Sequence, residues 1–146
     1  MKIAETFNPG SDSITVANRK SRMASSLGNI GIVYYQSNMY EKAREYYMKA
    51  LKLGEELKDD RRMGIQYGNL GLIDENLGSD ITKENSGINF AIKKDSLYQQ
   101  ALKYYLIAIK INRQMGDSSS VAVNLGNMGI IFENSKNYAL ALVFYR

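Results

Sequence analysis

Apolar residues along the chain recur at spacings of three and four, in paired stretches separated by short polar breaks. Met23, Leu27, Ile30 and Tyr34 make the first such stripe, the mark of a helix with one buried face. After a turn at Ser37-Asn38, Ala43, Tyr47, Ala50 and Leu51 make a second, small residues alternating with large ones, while Glu41, Lys42, Glu45, Lys49 and Lys52 form its solvated side. The two stripes predict helices over about 15–36 and 40–57. Asp59 or Asp60 then caps a helix that runs to Leu77 and ends at Gly78, since an aspartate at a helix start accepts from unpaired amides. Further helices are predicted over 97–115, 121–134 and 137–146. The polar stretch from Asn8 to Asp12 holds the chain's one proline and reads as a turn.

The pairs repeat one another. Leu27-Gly28-Asn29-Ile30-Gly31 returns as Tyr67-Gly68-Asn69-Leu70-Gly71 and as Leu125-Gly126-Asn127-Met128-Gly129. Downstream of each come a tyrosine, an alanine and a second aromatic: Tyr40, Ala43 and Tyr47; Tyr98, Ala101 and Tyr105; Tyr138, Ala141 and Tyr145. Gly31 to Gly71 and Ala101 to Ala141 both span 40 residues, whereas Gly71 to Gly129 and Ala43 to Ala101 both span 58. One period of 40 with 18 extra residues inside the second unit accounts for every spacing. The extra residues, 79–96, are expected at the turn between the helices of the second hairpin, with Ser79 to Gly87 mobile and Ile88 to Ile92 packed on a helix or groove edge.

A small glycine on one helix, an aromatic three residues on, then alanine, aromatic and alanine on a second helix resembles the tetratricopeptide repeat. Leu27, Ile30, Gly31, Tyr34, Ala43, Tyr47 and Ala50 match its pattern in the first unit, Tyr67, Leu70, Gly71, Ala101, Tyr105 and Ala108 in the second, and Leu125, Met128, Gly129, Phe132, Ala141 and Tyr145 in the third. Asp74 departs from it, standing where an aromatic is usual, and the proline that often closes a repeat is missing. The longer period, with Leu57-Lys58-Asp59 and Met115-Gly116-Asp117 between units, resembles the variant of Pins/LGN-type adaptors and bacterial regulators. The resemblance implies an all-α, right-handed solenoid of about three helical hairpins, the last truncated. Its units fall at about 22–58, 60–116 and 118–146, and residues 1–21 form a leader or the tail of a preceding repeat.

Composition narrows the chemistry. The chain has no cysteine and no histidine, which removes disulfides, thiolate chemistry and the commonest general base. A net charge of +4 without a basic stripe does not point to nucleic acid. The longest apolar run, Ala139 to Tyr145, is far too short to span a bilayer. Gly28-Asn29-Ile30-Gly31 lacks the dinucleotide fingerprint and sits inside a helix, so it is not a phosphate loop. Asp74-Glu75 has no second acid at metal or acid–base spacing and reads as an exposed acidic patch. No catalytic residue, metal or cofactor is expected, and a cytoplasmic setting is the default reading.

One set needs a cause: Asn29, Asn69 and Asn127, each two residues before the phased glycine. Asparagine is a poor helix former because its amide competes for backbone hydrogen bonds. The amides either tie neighbouring helices together or, as the resemblance implies, form a ladder along a concave groove that holds the main chain of a peptide. The same face adds Ile32 and Tyr35, Leu72 and Glu75, Ile130 and Glu133. The positions three before Gly28, Gly68 and Gly126 are Ser25, Ile65 and Val123, so no cation is expected there, and the acids suit a ligand with apolar anchors and some positive charge. The reading is a non-catalytic scaffold that binds a protein or peptide partner. The alternative is a sensor segment of a larger signalling protein, such as a kinase, cyclase or transcription regulator, which takes a small ligand or peptide. Closure of the groove by the insertion favours the second, an open trough the first. The apolar run at 139–145 is expected to mediate self-association.

Overall fold

The computed structural model describes residues 9–81 and 88–135, and among these every regular element is an α-helix. They are α1 (Pro9–Gln36), α2 (Tyr40–Leu57), α3 (Asp60–Ser79), α4 (Ile88–Gln114) and α5 (Ser118–Asn134). Each helix packs on the next in sequence, and α3 also meets α5. This is the order of a helical-repeat solenoid: α1–α2 and α3–α4 are hairpins, and α5 is the first helix of a third. The segment 137–146, expected as its partner, lies outside the described residues.

The joints between units are built alike. Lys58 and Gly116 take left-handed backbone with φ of 52° and 73°. Their following aspartates turn the chain back: Asp59 N–H donates to Gly54 O (2.9 Å) and Asp117 N–H to Asn112 O (2.9 Å), satisfying carbonyls the helix end leaves open. Each aspartate then caps the next helix, Asp59 accepting from Arg62 N–H at 3.0 Å and Asp117 from Ser120 N–H at 3.0 Å. Of the two aspartates available, Asp59 is therefore the cap and Asp60 begins the helix.

Two cores fill the stack. Ala43, Tyr47 and Leu51 of α2 bury Leu70 and Ile73 of α3. Tyr98, Ala101, Tyr105 and Ile109 of α4 bury Met128 and Ile131 of α5. The phased glycines let the aromatic rings in. A Cβ on Gly31 would lie 2.5 Å from the Tyr47 ring, and one on Gly71 would lie 2.7 Å from the Tyr105 ring.

Three boundaries differ from expectation. Helix α1 starts at Pro9, so part of the expected turn is its first coil; proline lacks the N–H that a first helical position leaves unpaired anyway. Gly78 does not end α3, which runs on to Ser79. Its lack of a side chain instead seats Tyr98, whose ring would be 2.6 Å from a Cβ there. The insertion lies between the two helices of the second hairpin, but half of it is not loop: α4 begins at Ile88 and is 27 residues long against 18 for α2. Ile92 in that extension is 62 % exposed, so it does not dock as expected. The rest of the expected mobile stretch, 82–87, lies outside the described residues.

Candidate functional site

The first helices of the units, α1, α3 and α5, lie side by side and enclose two shallow troughs. The trough between α1 and α3 has a volume of about 400 Å³ and is walled by Asn29, Ile32, Gln66 and Asn69. The one between α3 and α5 has about 270 Å³ and is walled by Asn69, Leu72, Asn124 and Asn127. Helix geometry explains the placement. A residue two positions before the phased glycine lies roughly 200° around the helix from it. The glycine faces the tyrosine of its own hairpin, so the asparagine is turned to the open side. Asn69 reaches both troughs, and through it Asn29 and Asn127 belong to one continuous face.

The walls hold polar groups that the reading of the sequence missed. Gln66 and Asn124, 5 % exposed each, occupy equivalent positions 58 residues apart. Each lies against the glycine of the preceding unit, where a Cβ on Gly28 would be 3.3 Å from Gln66 Nε2 and one on Gly68 3.1 Å from Asn124 Oδ1. Asn124 Nδ2 donates to Ser120 O at 2.8 Å, whereas Gln66 Oε1 is buried without a hydrogen-bond partner. The spacing of 58 was the signal available for this pair.

Cations also reach the face, contrary to expectation. Arg61 and Arg62 line the first trough, one helical turn before the position where a cation was sought. Arg62 is committed to the fold. Its guanidinium pairs with Asp59 (Nε to Oδ2, 3.3 Å) and donates to Ser25 Oγ and Ser21 Oγ at 3.0 Å each, tying α3 to α1. Arg61 is exposed and close enough to help hold the Asp117 carboxyl below its ordinary range, after the larger effect of the Ser120 N–H and hydroxyl.

The structure brings together five of the nine expected contact residues: Asn29, Ile32 and Asn69 in the first trough, and Asn69, Leu72 and Asn127 in the second. Tyr35, Ile130 and Glu133 lie off both. Tyr35 is half-buried, its hydroxyl accepting from Asn76 Nδ2 at 3.1 Å.

Glu75 is the clearest correction, together with Asp74, for neither is an exposed acid. They are 6 % and 0 % exposed. Glu75 accepts from the Tyr105 hydroxyl at 2.7 Å, and Asp74 forms an ion pair with Arg44 of α2. Burial raises both carboxyls above their ordinary values, against the opposing pull of Tyr105 on Glu75 and of Arg44 on Asp74. Burial and the neighbouring Glu75 likewise push the Tyr105 hydroxyl up, while a hydrogen bond with Asn127 works the other way. The loss of Glu75 from the face removes half of the argument for a positively charged ligand.

Among the described residues no group of three His, Cys, Asp or Glu side chains is placed to hold a metal, and no helix is long and apolar enough to cross a membrane. A search of curated proteins returned no match. The family model of the tetratricopeptide repeat matches residues 24–56, which are the second half of α1 and nearly all of α2. The phased glycines recur in α3 and α5, the buried tyrosine seat recurs in α3–α4, and the joint after α4 repeats the one after α2. Repeats of this family mediate protein–protein interaction and are typically non-catalytic. Over residues 24–56 the chain is similar to the tetratricopeptide repeat, and the five described helices are consistent with an all-α helical-repeat solenoid.

Proposed function

We propose that the face formed by α1, α3 and α5 holds an extended segment of a partner protein, its main chain bonded by the amides of Asn29, Asn69 and Asn127. The observation that carries this reading is the position of Asn69 in both troughs, which strings three amides along one line. An amide offers two donors and an acceptor, so it pairs with a peptide group whatever side chains the peptide carries. Ile32 and Leu72 supply apolar anchoring between the amides. With Glu75 withdrawn and Arg61 at the first trough, the preferred segment has apolar anchors and an acidic residue near Arg61.

The sensor alternative called for closure by the insertion. Among the described residues, none of the α4 extension lines either trough, and this favours the open, segment-binding reading. Panning a random peptide library on the chain supplies binders, and their affinity for Asn69→Ala is the test. The variant is expected to lose about 1–3 kcal/mol of binding, the cost of leaving buried polar partners unpaired, with its melting temperature unchanged. Asn29→Ala and Asn127→Ala, each in one trough, are expected to lose less. Unaltered affinity in Asn69→Ala rejects the ladder.

A further inference from the structure

The two troughs are copies of one surface, and their walls correspond position by position. Residues 40 apart match between α1 and α3, and residues 58 apart match between α3 and α5 and between α2 and α4. The amides and apolar anchors are kept: Asn69 answers to Asn29 and Asn127 to Asn69, Leu72 to Ile32 and Val123 to Ile65. The charges are not kept. Where the first trough has Arg61 and Arg62, the second has Ser119 and Ser120. Among the described residues that line the second trough, none is charged. Asp117, at the start of α5, is engaged by the Ser120 N–H at 3.0 Å and the Ser120 hydroxyl at 2.7 Å.

The second trough has also gained an amide. Ala24 and Gly54 of the first unit are replaced by Gly64 and Asn112 in the second. A methyl group has left the first helix of the pair and a carboxamide has entered from the second, Asn112 Oδ1 filling the place that a Cβ on Gly64 would take. Asn112 and Asn124 line the trough while only 3 % and 5 % exposed. Asn124 spends one of its two donors on Ser120 O at 2.8 Å. With Asn69 and Asn127, four carboxamides border about 270 Å³ of space without an ion among them.

We infer that the second trough is a pocket for a carboxamide, and that the bound segment places an asparagine or glutamine side chain there. This rests on the segment-binding reading above and adds the side chain that the segment must carry. A carboxylate or an ammonium entering the trough leaves water and meets no opposite charge. An aliphatic group covers the amides and removes their water without replacing its hydrogen bonds. A carboxamide brings two donors and an acceptor, the complement of other carboxamides, and its apolar stem lies along Val123 and Leu72. At the corresponding point of the first trough Arg61 suits a carboxylate. The two troughs thus read side chains of one shape that differ by a charge.

The test begins with peptides from the random library, sorted on the variants. A peptide that weakens in both Asn69→Ala and Asn127→Ala spans the second trough, and each of its positions is then replaced in turn by Gln, Glu, Lys and Leu. By fluorescence anisotropy one position is expected to favour Gln over Leu by about three- to tenfold, and over Glu and Lys by more. Ser119→Arg carries the cation of the first trough into the second at an exposed position. It is expected to melt with wild type and to move the preference at that position from Gln to Glu. Arg61→Ser, the reverse exchange in the first trough, is expected to leave it at Gln. Should Ser119→Arg melt early, Val123→Lys, at a position 62 % exposed, brings in the same charge. Library peptides that never depend on Asn69 reject the ladder, and this pocket with it. Peptides that depend on Asn69 but never on Asn127, a scan in which no position favours Gln, or a Gln preference that survives the added cation overturn the pocket alone.

Discussion

The junction of the first unit with the second and that of the second with the third use the same positions and opposite chemistry. Where α2 meets α3, Arg44 forms an ion pair with Asp74. Where α4 meets α5, the equivalent residues are Leu102 and Phe132, both packed against the apolar cluster of that junction. The rest of the seat hardly changes: alanine, tyrosine and aliphatic residue on one side, two aliphatic residues on the other. The repeat therefore tolerates a buried charge at this point provided that both partners change together. An isolated carboxylate there has no such licence, since the Asp74 side chain is 1 % exposed and its Oδ2 has no hydrogen-bond partner.

The largest way to break this comparison is to change one partner alone. Arg44→Leu leaves Asp74 buried and unpaired, and about 3 kcal/mol of unfolding free energy is expected to be lost in urea titrations. The figure is the lower end of the range for breaking a buried pair, because the Arg44 side chain is 32 % exposed. Adding Asp74→Phe converts the first junction to the form of the second and is expected to recover most of the loss. A double variant no more stable than Arg44→Leu denies the equivalence of the two junctions.

Gly71→Ala comes next. It forces a methyl into the Tyr105 ring, which is fully buried and has no room to yield, and overpacking of this kind costs about 1–3 kcal/mol. The melting temperature is expected to fall without loss of helical circular dichroism at low temperature.

The pH dependence sharpens the comparison further. Asp74 and Glu75 are both raised from their ordinary values of 3.8 and 4.5, chiefly by burial. A carboxyl raised in the folded state favours folding when protonated, so its contribution is present below the unfolded value and is lost as pH climbs through the folded one. These two groups therefore make stability fall as pH rises out of the ordinary carboxylate range. In Arg44→Leu the loss of the cation raises Asp74 further, so the gap between wild type and variant is expected to shrink at acid pH. A gap constant from acid to neutral pH refutes the account of Asp74.

The smallest effect is a gain. Among the described residues nothing lies within 4 Å of a Cβ built on Gly126, unlike its equivalents Gly28 and Gly68, which are covered by Gln66 and Asn124. Gly126→Ala is therefore expected to stabilise by about 0.5–1 kcal/mol through helix propensity. A loss in thermal unfolding shows that the position is occupied after all.

Period and phase were enough to place α2 to the residue and to identify Ala43, Tyr47, Leu70 and Tyr105 as core, because glycine–tyrosine contacts inside a hairpin repeat with the chain. The asparagines could be singled out for the same reason. Contacts between hairpins were harder to see. Asp74 looks like a surface acid until Arg44, 30 residues earlier, is matched to it through the Leu102–Phe132 pair. Arg61 and Arg62 escaped notice because the search for cations stopped at the position three before the glycine, one turn short of where α3 begins. Gly78 carried two meanings, helix end and ring seat, and local sequence does not separate them; Tyr98, 20 residues on, decides.

Helix α4 runs unbroken from Ile88 to Gln114, through the insertion and into the core of the second unit. At a rise of 1.5 Å per residue, Ile92 stands about 20 Å along one rigid rod from Tyr105. That rod works as a lever with its fulcrum at Tyr98, the first of its rings seated in a glycine notch. Tyr105 in turn donates to the Glu75 carboxylate at 2.7 Å and bonds the Asn127 amide that borders the second trough. A sideways load on the overhang is therefore expected to reach the middle of the stack.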